Sequence, residues 1–182
     1  MIYVTSDLHF YYASDPKVGK RRFQTAEEKN EFLVRQWNET VGEDDEVYLL
    51  GDVSDGNGEE TGRILARLNG RKYLIIGNHD KYLDDPAFDS GLYVWTRQYY
   101  ELRYQGEKFV LFHYPIEAWS GYLKDRIHLH GHLHRLEPVC EPIRRYEVGV
   151  DAHDGKPVSI DEVWERVREL HNCNRRVNGV WG

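Results

Sequence analysis

The chain has 182 residues, 40% hydrophobic and 13% aromatic, enough apolar material for one domain with a sizeable core and too much for a disordered chain. Twenty-four Lys and Arg against 31 Asp and Glu leave a formal net charge of −7, which disfavours a protein built to wrap long nucleic acid, although bound cations would make a site locally positive. Two cysteines without CxxC spacing, Cys140 and Cys173, disfavour a disulfide framework or thiolate metal site, and no stretch approaches the roughly 20 apolar residues of a membrane span, so a soluble cytoplasmic protein with no membrane partner is expected.

Ile2–Ser6 is short, apolar and β-branched, and reads as a buried strand that runs directly into Asp7-Leu8-His9. Thr25-Ala-Glu-Glu28 matches a capping box, and Leu33, Trp37 and Val41 recur behind it at helical spacing. Glu46–Leu50 is a second strand ending in Gly51-Asp52, and a helix over Glu59–Leu68 follows with Ile64, Leu65 and Leu68 on its apolar face. Lys72–Ile76 is a third strand, ending in Gly77-Asn78-His79-Asp80. Alternation of strand and helix predicts a parallel sheet with crossover helices for this half.

The second half changes character. Tyr99–Tyr104 and Lys108–Phe112 flank Gln105-Gly106-Glu107 and read as a β-hairpin, while short strands around Ile127–His130 and Tyr146–Val150 suit mixed or antiparallel pairing. A second capping box, Ser159-Ile-Asp-Glu162, opens a last helix with Val163, Val167 and Leu170 on one face. The polar segment Asn172–Gly182 reads as a loosely held tail. With no repeat or low-complexity linker, residues 1–182 are expected to form one domain.

Polar residues of one chemical kind recur where the strands end: Asp7 and His9, Asp52, Asn78 and His79, His113, then His132 and His134. Ligands of an open α/β sheet gather in the crevice beyond the carboxyl ends of its strands, so these side chains are expected to converge there. Carboxylate, amide oxygen and imidazole without thiolate suit borderline divalent ions such as manganese, iron, zinc, nickel or cobalt. A structural zinc site closes with about four ligands, fewer than are present. Two ions about 3.5–4 Å apart, bridged by a carboxylate such as Asp52, are the arrangement used for phosphoryl transfer.

The ordered series Asp7-x-His9, Gly51-Asp52-x-x-Asp55, Gly77-Asn78-His79-Asp80, His113 and Gly131-His132-x-His134 resembles the calcineurin-like metallophosphoesterases, and within them the small single-domain bacterial and phage branch. DLHF, HYP with Trp119 nearby, LHGHLH, and VGVD followed by KPVS carry that likeness. The resemblance implies a four-layer α/β/β/α sandwich of two mixed β-sheets flanked by helices. It implies two divalent metal ions, the first held by Asp7, His9, Asp52 and His134, the second by Asp52, Asn78, His113 and His132. His79 becomes the acid candidate, with Asp80 orienting it and Asp55 in support. The activity implied is hydrolysis of a phosphate mono- or diester, small or nucleotide-like. Phe10 after the first motif agrees with the small branch, whereas Tyr11-Tyr12 stands where that branch often has Gly-His.

Other residues are open to plainer readings. Asp55 lies in a turn-prone Asp-Gly-Asn-Gly run, and His128 and His130 read as structural. Lys17, Lys20, Arg21 and Arg22 form a basic cluster near the expected crevice, where Arg21 and Arg22 are candidate phosphate contacts. Tyr11, Tyr12, Tyr114 and Trp119 are candidate aromatic walls, with Tyr11 taken as a substrate contact. His153 and His171 read as surface residues, with His153 an alternative rim residue. Rival functions are a nuclease or RNA-end-processing phosphodiesterase, which would bring nucleic acid as a partner, and a non-catalytic scaffold of the same fold. No pattern in the sequence specifies an oligomeric state.

Overall fold

The computed structural model describes residues 1–12, 23–124, 126–136 and 144–178, with side chains in the last helix up to 169. Among the described residues, nine strands form two mixed sheets. The first has the order β4-β3-β2-β1-β9, built from β1 (Ile2–Thr5), β2 (Glu46–Leu49), β3 (Arg71–Ile75), β4 (Trp95–Arg97) and β9 (Val158–Ser159). Its first four strands pair in parallel and β9 joins β1 antiparallel. The second has the order β5-β6-β7-β8, from β5 (Tyr100–Tyr104), β6 (Glu107–Leu111), β7 (Ile127–His130) and β8 (Arg145–Glu147). The expected hairpin is the antiparallel β5–β6 pair, while β7 and β8 add in parallel.

Strand alternation sorts the core into two layers. Val47, Leu49 and Leu74 face helices α1 (Ala26–Thr40) and α2 (Gly58–Leu65), whose Leu33, Val34, Trp37, Ile64 and Leu65 complete that layer. Tyr48, Leu50, Tyr73 and Ile75, one residue out of step on the same strands, face Phe109, Leu111, Ile127, Leu129 and Tyr146 of the second sheet. Val163 and Val167 of α3 (Ile160–Asn178) join this inter-sheet layer. Two mixed sheets with flanking helices are thus the architecture, as the motif series implied.

The helix starts follow local chemistry. Thr25 accepts a bond from the Glu28 N–H, and the Glu28 carboxylate reaches back to the Gln24 N–H. Ser159 likewise accepts from Glu162 N–H. A third box, Asn57 with Glu60, opens α2 one residue before the predicted start. The last helix continues to Asn178, so most of the segment read as a tail is helical. Strands β4 and β9 were not foreseen, since three and two residues carry too little periodicity to read.

The outer face of the second sheet carries unusual cargo for a buried strand. His128 and His130 point there, both almost fully buried. His128 lies 3.1 Å from both the Val110 and the Tyr114 carbonyl oxygens, and Arg145 donates to Ile116 O at 3.0 Å, so the segment 114–116 is bonded down over this face. Trp119 completes the cover against His128, its indole N–H bonded to Arg126 O. Trp119 therefore packs behind the second sheet and does not form an aromatic wall of the crevice.

His130 donates Nδ1–H to Gly131 O at 2.8 Å, and burial pushes its pKa down to about 3. Below pH 6.5 the unfolded chain takes up this proton and the folded chain does not, so stability is intact above that pH and is lost as pH falls towards 3. The loss attributable to His130 should reach about 3 kcal/mol by pH 4. Urea unfolding between pH 7 and 4 should show a correspondingly flatter pH dependence for His130→Gln than for wild type.

Candidate metal centre

Strand-end loops from both sheets meet in one crevice. Val150 N–H bonds Ser6 O at 3.0 Å and Gly131 N–H bonds His113 O at 3.0 Å, which ties the second sheet's ends to β1 and to each other. On the first sheet, Asp7 N–H bonds Gly51 O and His9 N–H bonds Asp52 O, both at 3.0 Å. Asp7, His9, Asp52, His132 and His134 all hold left-handed backbone angles, φ 43–74°. Such angles are uncommon for residues other than glycine and concentrate at functional sites.

Close backbone approach requires glycine here. A Cβ on Gly77 would collide with Asp52 Oδ1 and the Asp52 nitrogen, and one on Gly131 would collide with the Ser6 hydroxyl and Asp7 Oδ2. Both carboxylates thereby lie flat against neighbouring backbone.

Asp52 is the hub. Its Oδ1 accepts the His79 N–H at 2.8 Å, while Oδ2 lies 3.4 Å from His113 Nε2 and 3.6 Å from His9 Nε2. Burial would raise its pKa, but the His113 imidazole and the His79 N–H hold the carboxyl at about 2, so it stays ionised. His113 Nε2 also faces Asn78 Oδ1 at 3.0 Å, and its Nδ1 is bonded to Leu50 O at 2.7 Å. Asp7 accepts from the Ser6 hydroxyl at 2.6 Å and the His132 N–H at 3.0 Å, and its Oδ1 lies 3.9 Å from His134 Nε2. Two donor groups result, Asp7–His9–His134 and Asp52–His113–His132, each with ligand atoms within 4.8 Å of one another.

The donors fit divalent ions. His9 Nε2 is buried without a hydrogen-bond partner among the described residues, although Asp52 Oδ2 faces it. Separations of 3.4–3.9 Å exceed a good hydrogen bond. They match two donors sharing one ion at bonds of about 2.0–2.2 Å.

A third group, His9–Asp55–His79, has a different bonding pattern. Asp55 Oδ2 takes His9 Nδ1 at 2.7 Å and Oδ1 takes His79 Nδ1 at 2.9 Å. Partial burial alone would raise the Asp55 pKa, but the His9 and His79 imidazoles together outweigh it and the pKa is lowered. Asp55 therefore orients His79, and the expectation that Asp80 does so is corrected. Asp80 is buried with both oxygens committed to backbone: Oδ2 accepts from Gly77 at 2.7 Å and Asp52 at 3.1 Å, and Oδ1 from Val53 at 2.7 Å. It clips the ends of β2 and β3 together and does not bond the His79 ring.

Tyr11 is likewise corrected. Its hydroxyl donates to Glu60 O at 3.0 Å and its ring lies against Gly56, so the side chain is spent on packing α2. Tyr114 and Tyr12 remain exposed beside the donors, with ring centroids 4.8 Å from both His113 and His132 and 6.2 Å from His9 respectively. His153 turns inward to bond Glu147 O at 3.2 Å. Lys17, Lys20, Arg21, Arg22 and the His171 side chain lie outside the described residues. Asp151, to which the sequence reading gave no role, bonds His134 Nδ1 at 2.9 Å. The only sequence signal for it was its place in the VGVD signature.

Comparison with known proteins agrees along almost the whole chain. The family model for calcineurin-like phosphoesterases matches residues 1–176. An uncharacterised protein of Methanocaldococcus jannaschii, MJ1445, is 34% identical over 169 residues, covering 88% of this chain and 87% of its own. The gene 66 protein of Mycobacterium phage D29 is 33% identical over 199 residues, covering 93% and 96%. Among solved structures, a protein of unknown function from Aquifex aeolicus, AQ665, has a TM-score of 0.72 at 26% identity over 91% of this chain and 98% of that one.

The two aspartates after the shared motifs should separate cleanly on mutation. Asp80→Ala strands three backbone N–H groups and should cost about 3 kcal/mol or more of stability. Asp55→Ala, with its carboxylate part-exposed, should leave the urea midpoint close to wild type. Equal midpoints for the two variants would overturn this division.

Proposed function

The chain belongs to the calcineurin-like phosphoesterase family, and from that premise we propose that it hydrolyses a phosphate mono- or diester, small or nucleotide-like, with two divalent metal ions at the strand-end crevice. The observation that carries this reading is the pair of donor groups on either side of one ionised carboxylate, Asp52. Asp7, His9, Asp52 and His134 would hold one ion, and Asp52, Asn78, His113 and His132 the other. Manganese, iron, zinc, nickel and cobalt all suit this donor set. When bound, the ions supply positive charge that polarises the phosphoryl oxygens and offsets charge developing in the transition state.

The chain's own groups divide the remaining work. His79 has a half-exposed side chain with Nδ1 held by Asp55, which leaves Nε2 as the nitrogen available to protonate a leaving oxygen. Asp52 fixes the His79 main chain as well, through the 2.8 Å bond from its N–H, so the acid is referenced directly to the ion site. Tyr114, against His113 and His132, offers an aromatic surface to the organic part of a nucleotide-like ester.

Apo protein reloaded with manganese should bind two ions per chain and turn over aryl phosphate esters only when loaded. The monoester-to-diester rate ratio then assigns the subclass, and absence of turnover with every metal would overturn the hydrolase reading. Asp52→Asn should lose both ions and nearly all activity. His79→Ala should keep both ions and lose about 10²–10⁴-fold in turnover, most for poor leaving groups. Release of the ions by His79→Ala would show that His79 is a ligand instead.

A further inference from the structure

An imidazole ligates through one nitrogen, and the partner of the other nitrogen sets its tautomer, its orientation and its basicity. His113 rests Nδ1 on a neutral acceptor, the Leu50 carbonyl, at 2.7 Å. His9 rests Nδ1 on the Asp55 carboxylate, which it shares with His79. His134 rests Nδ1 on Asp151 Oδ2 at 2.9 Å, while its Nε2 lies 3.9 Å from Asp7 Oδ1.

Asp151 reaches that position through the contact that joins the sheets. Gly149 forms a parallel bridge with Ser6, and the next residue, Val150, donates to Ser6 O at 3.0 Å. Ala152 N–H then bonds Gly149 O at 3.0 Å and Gly155 N–H bonds Val150 O at 2.9 Å, closing a turn around Asp151. The carboxylate side chain is 15% exposed and the His134 side chain 25%, so the bond is sheltered from water. His134 itself holds a left-handed backbone angle, φ 51°, and its ring lies beside that of His9, with centroids 5.1 Å apart.

We propose that Asp151 is a positioning residue for the ion held by Asp7, His9, Asp52 and His134. By accepting the hydrogen bond from His134 Nδ1–H, it fixes the tautomer whose Nε2 carries the lone pair, stops the ring from swinging, and makes that nitrogen a stronger donor. The proposal rests on the two-ion reading above and adds that the two ion sites are unequal. Both imidazoles of one are backed by carboxylates, whereas His113 of the other is backed by a peptide carbonyl.

The test is calorimetric titration of metal-free wild type, Asp151→Ala and Asp151→Asn with cobalt(II), with the cobalt visible spectrum followed in parallel. Wild type should take up two ions in unequal steps. Asp151→Ala should weaken the tighter step by about 10–100-fold, leave the other unchanged and alter the spectrum of the first ion only. Asp151→Asn, whose amide oxygen still accepts a hydrogen bond, should recover part of that loss. Wild-type affinity in both steps of Asp151→Ala would overturn the proposal. So would equal weakening of both steps with a lowered melting temperature of the metal-free variant, since that pattern marks a purely structural residue. A wild-type chain taking fewer than two ions would overturn the two-ion reading itself, and the variants play no part in that result.

Discussion

Asp7, His9, Asp52, His132 and His134 each hold a backbone conformation that costs an L-residue about 1 kcal/mol or more, and the loops between the two sheets supply the bonds that keep them there. The constraint is mutual. Ser6 and Gly149 bridge the sheets, His9 and Asp7 hang from the carbonyls of Asp52 and Gly51, and Asp80 gathers three N–H groups from the ends of β2 and β3. Left-handed turns send these side chains sideways into the crevice instead of onward along the strand. Ordinary extended residues at the same places would continue the pleat and scatter the donors over two faces.

Five aspartates around the crevice show how environment divides one chemical group into different tasks. Asp7 and Asp52 turn oxygens towards imidazole nitrogens across gaps too wide for good hydrogen bonds. Asp55 and Asp151 stand behind imidazoles and bond Nδ1. Asp80 accepts three backbone N–H groups from the ends of two strands. Burial raises the Asp80 pKa even against its backbone donors, whereas neighbouring imidazole pulls Asp52 down to about 2 despite burial. Proximity to imidazole, and not depth alone, thus sets the direction in which a buried carboxyl's pKa moves.

The rest of the molecule supports this arrangement by filling two apolar layers that meet only through the strands. Tyr48 and Leu50 face one layer while Val47 and Leu49 face the other, so β2 is fixed in register on both sides. A slip of one residue would exchange those faces and rotate Asp52 away from His9 and His113. The core is therefore what turns a sequence interval, such as the 44 residues between Asp7 and Asp52, into a distance that chemistry can use.

The sequence by itself determined the strand–helix alternation of the first half, the hairpin of the second, two helix caps and the ligand types at strand ends, because each is a local pattern of period, capping or residue chemistry. It also carried the family likeness, through five short motifs in order. It did not reveal which aspartate stands behind which histidine. Asp80 adjoins His79 in the chain but bonds backbone, while Asp55, 24 residues away, bonds the ring. Nor did it reveal that Tyr11 packs on α2 or that Asp151 holds His134 from 17 residues away. Those pairings depend on where left-handed turns and inter-sheet bonds aim each side chain, and such directions exist only once distant strand ends have been brought together by burial of the two cores.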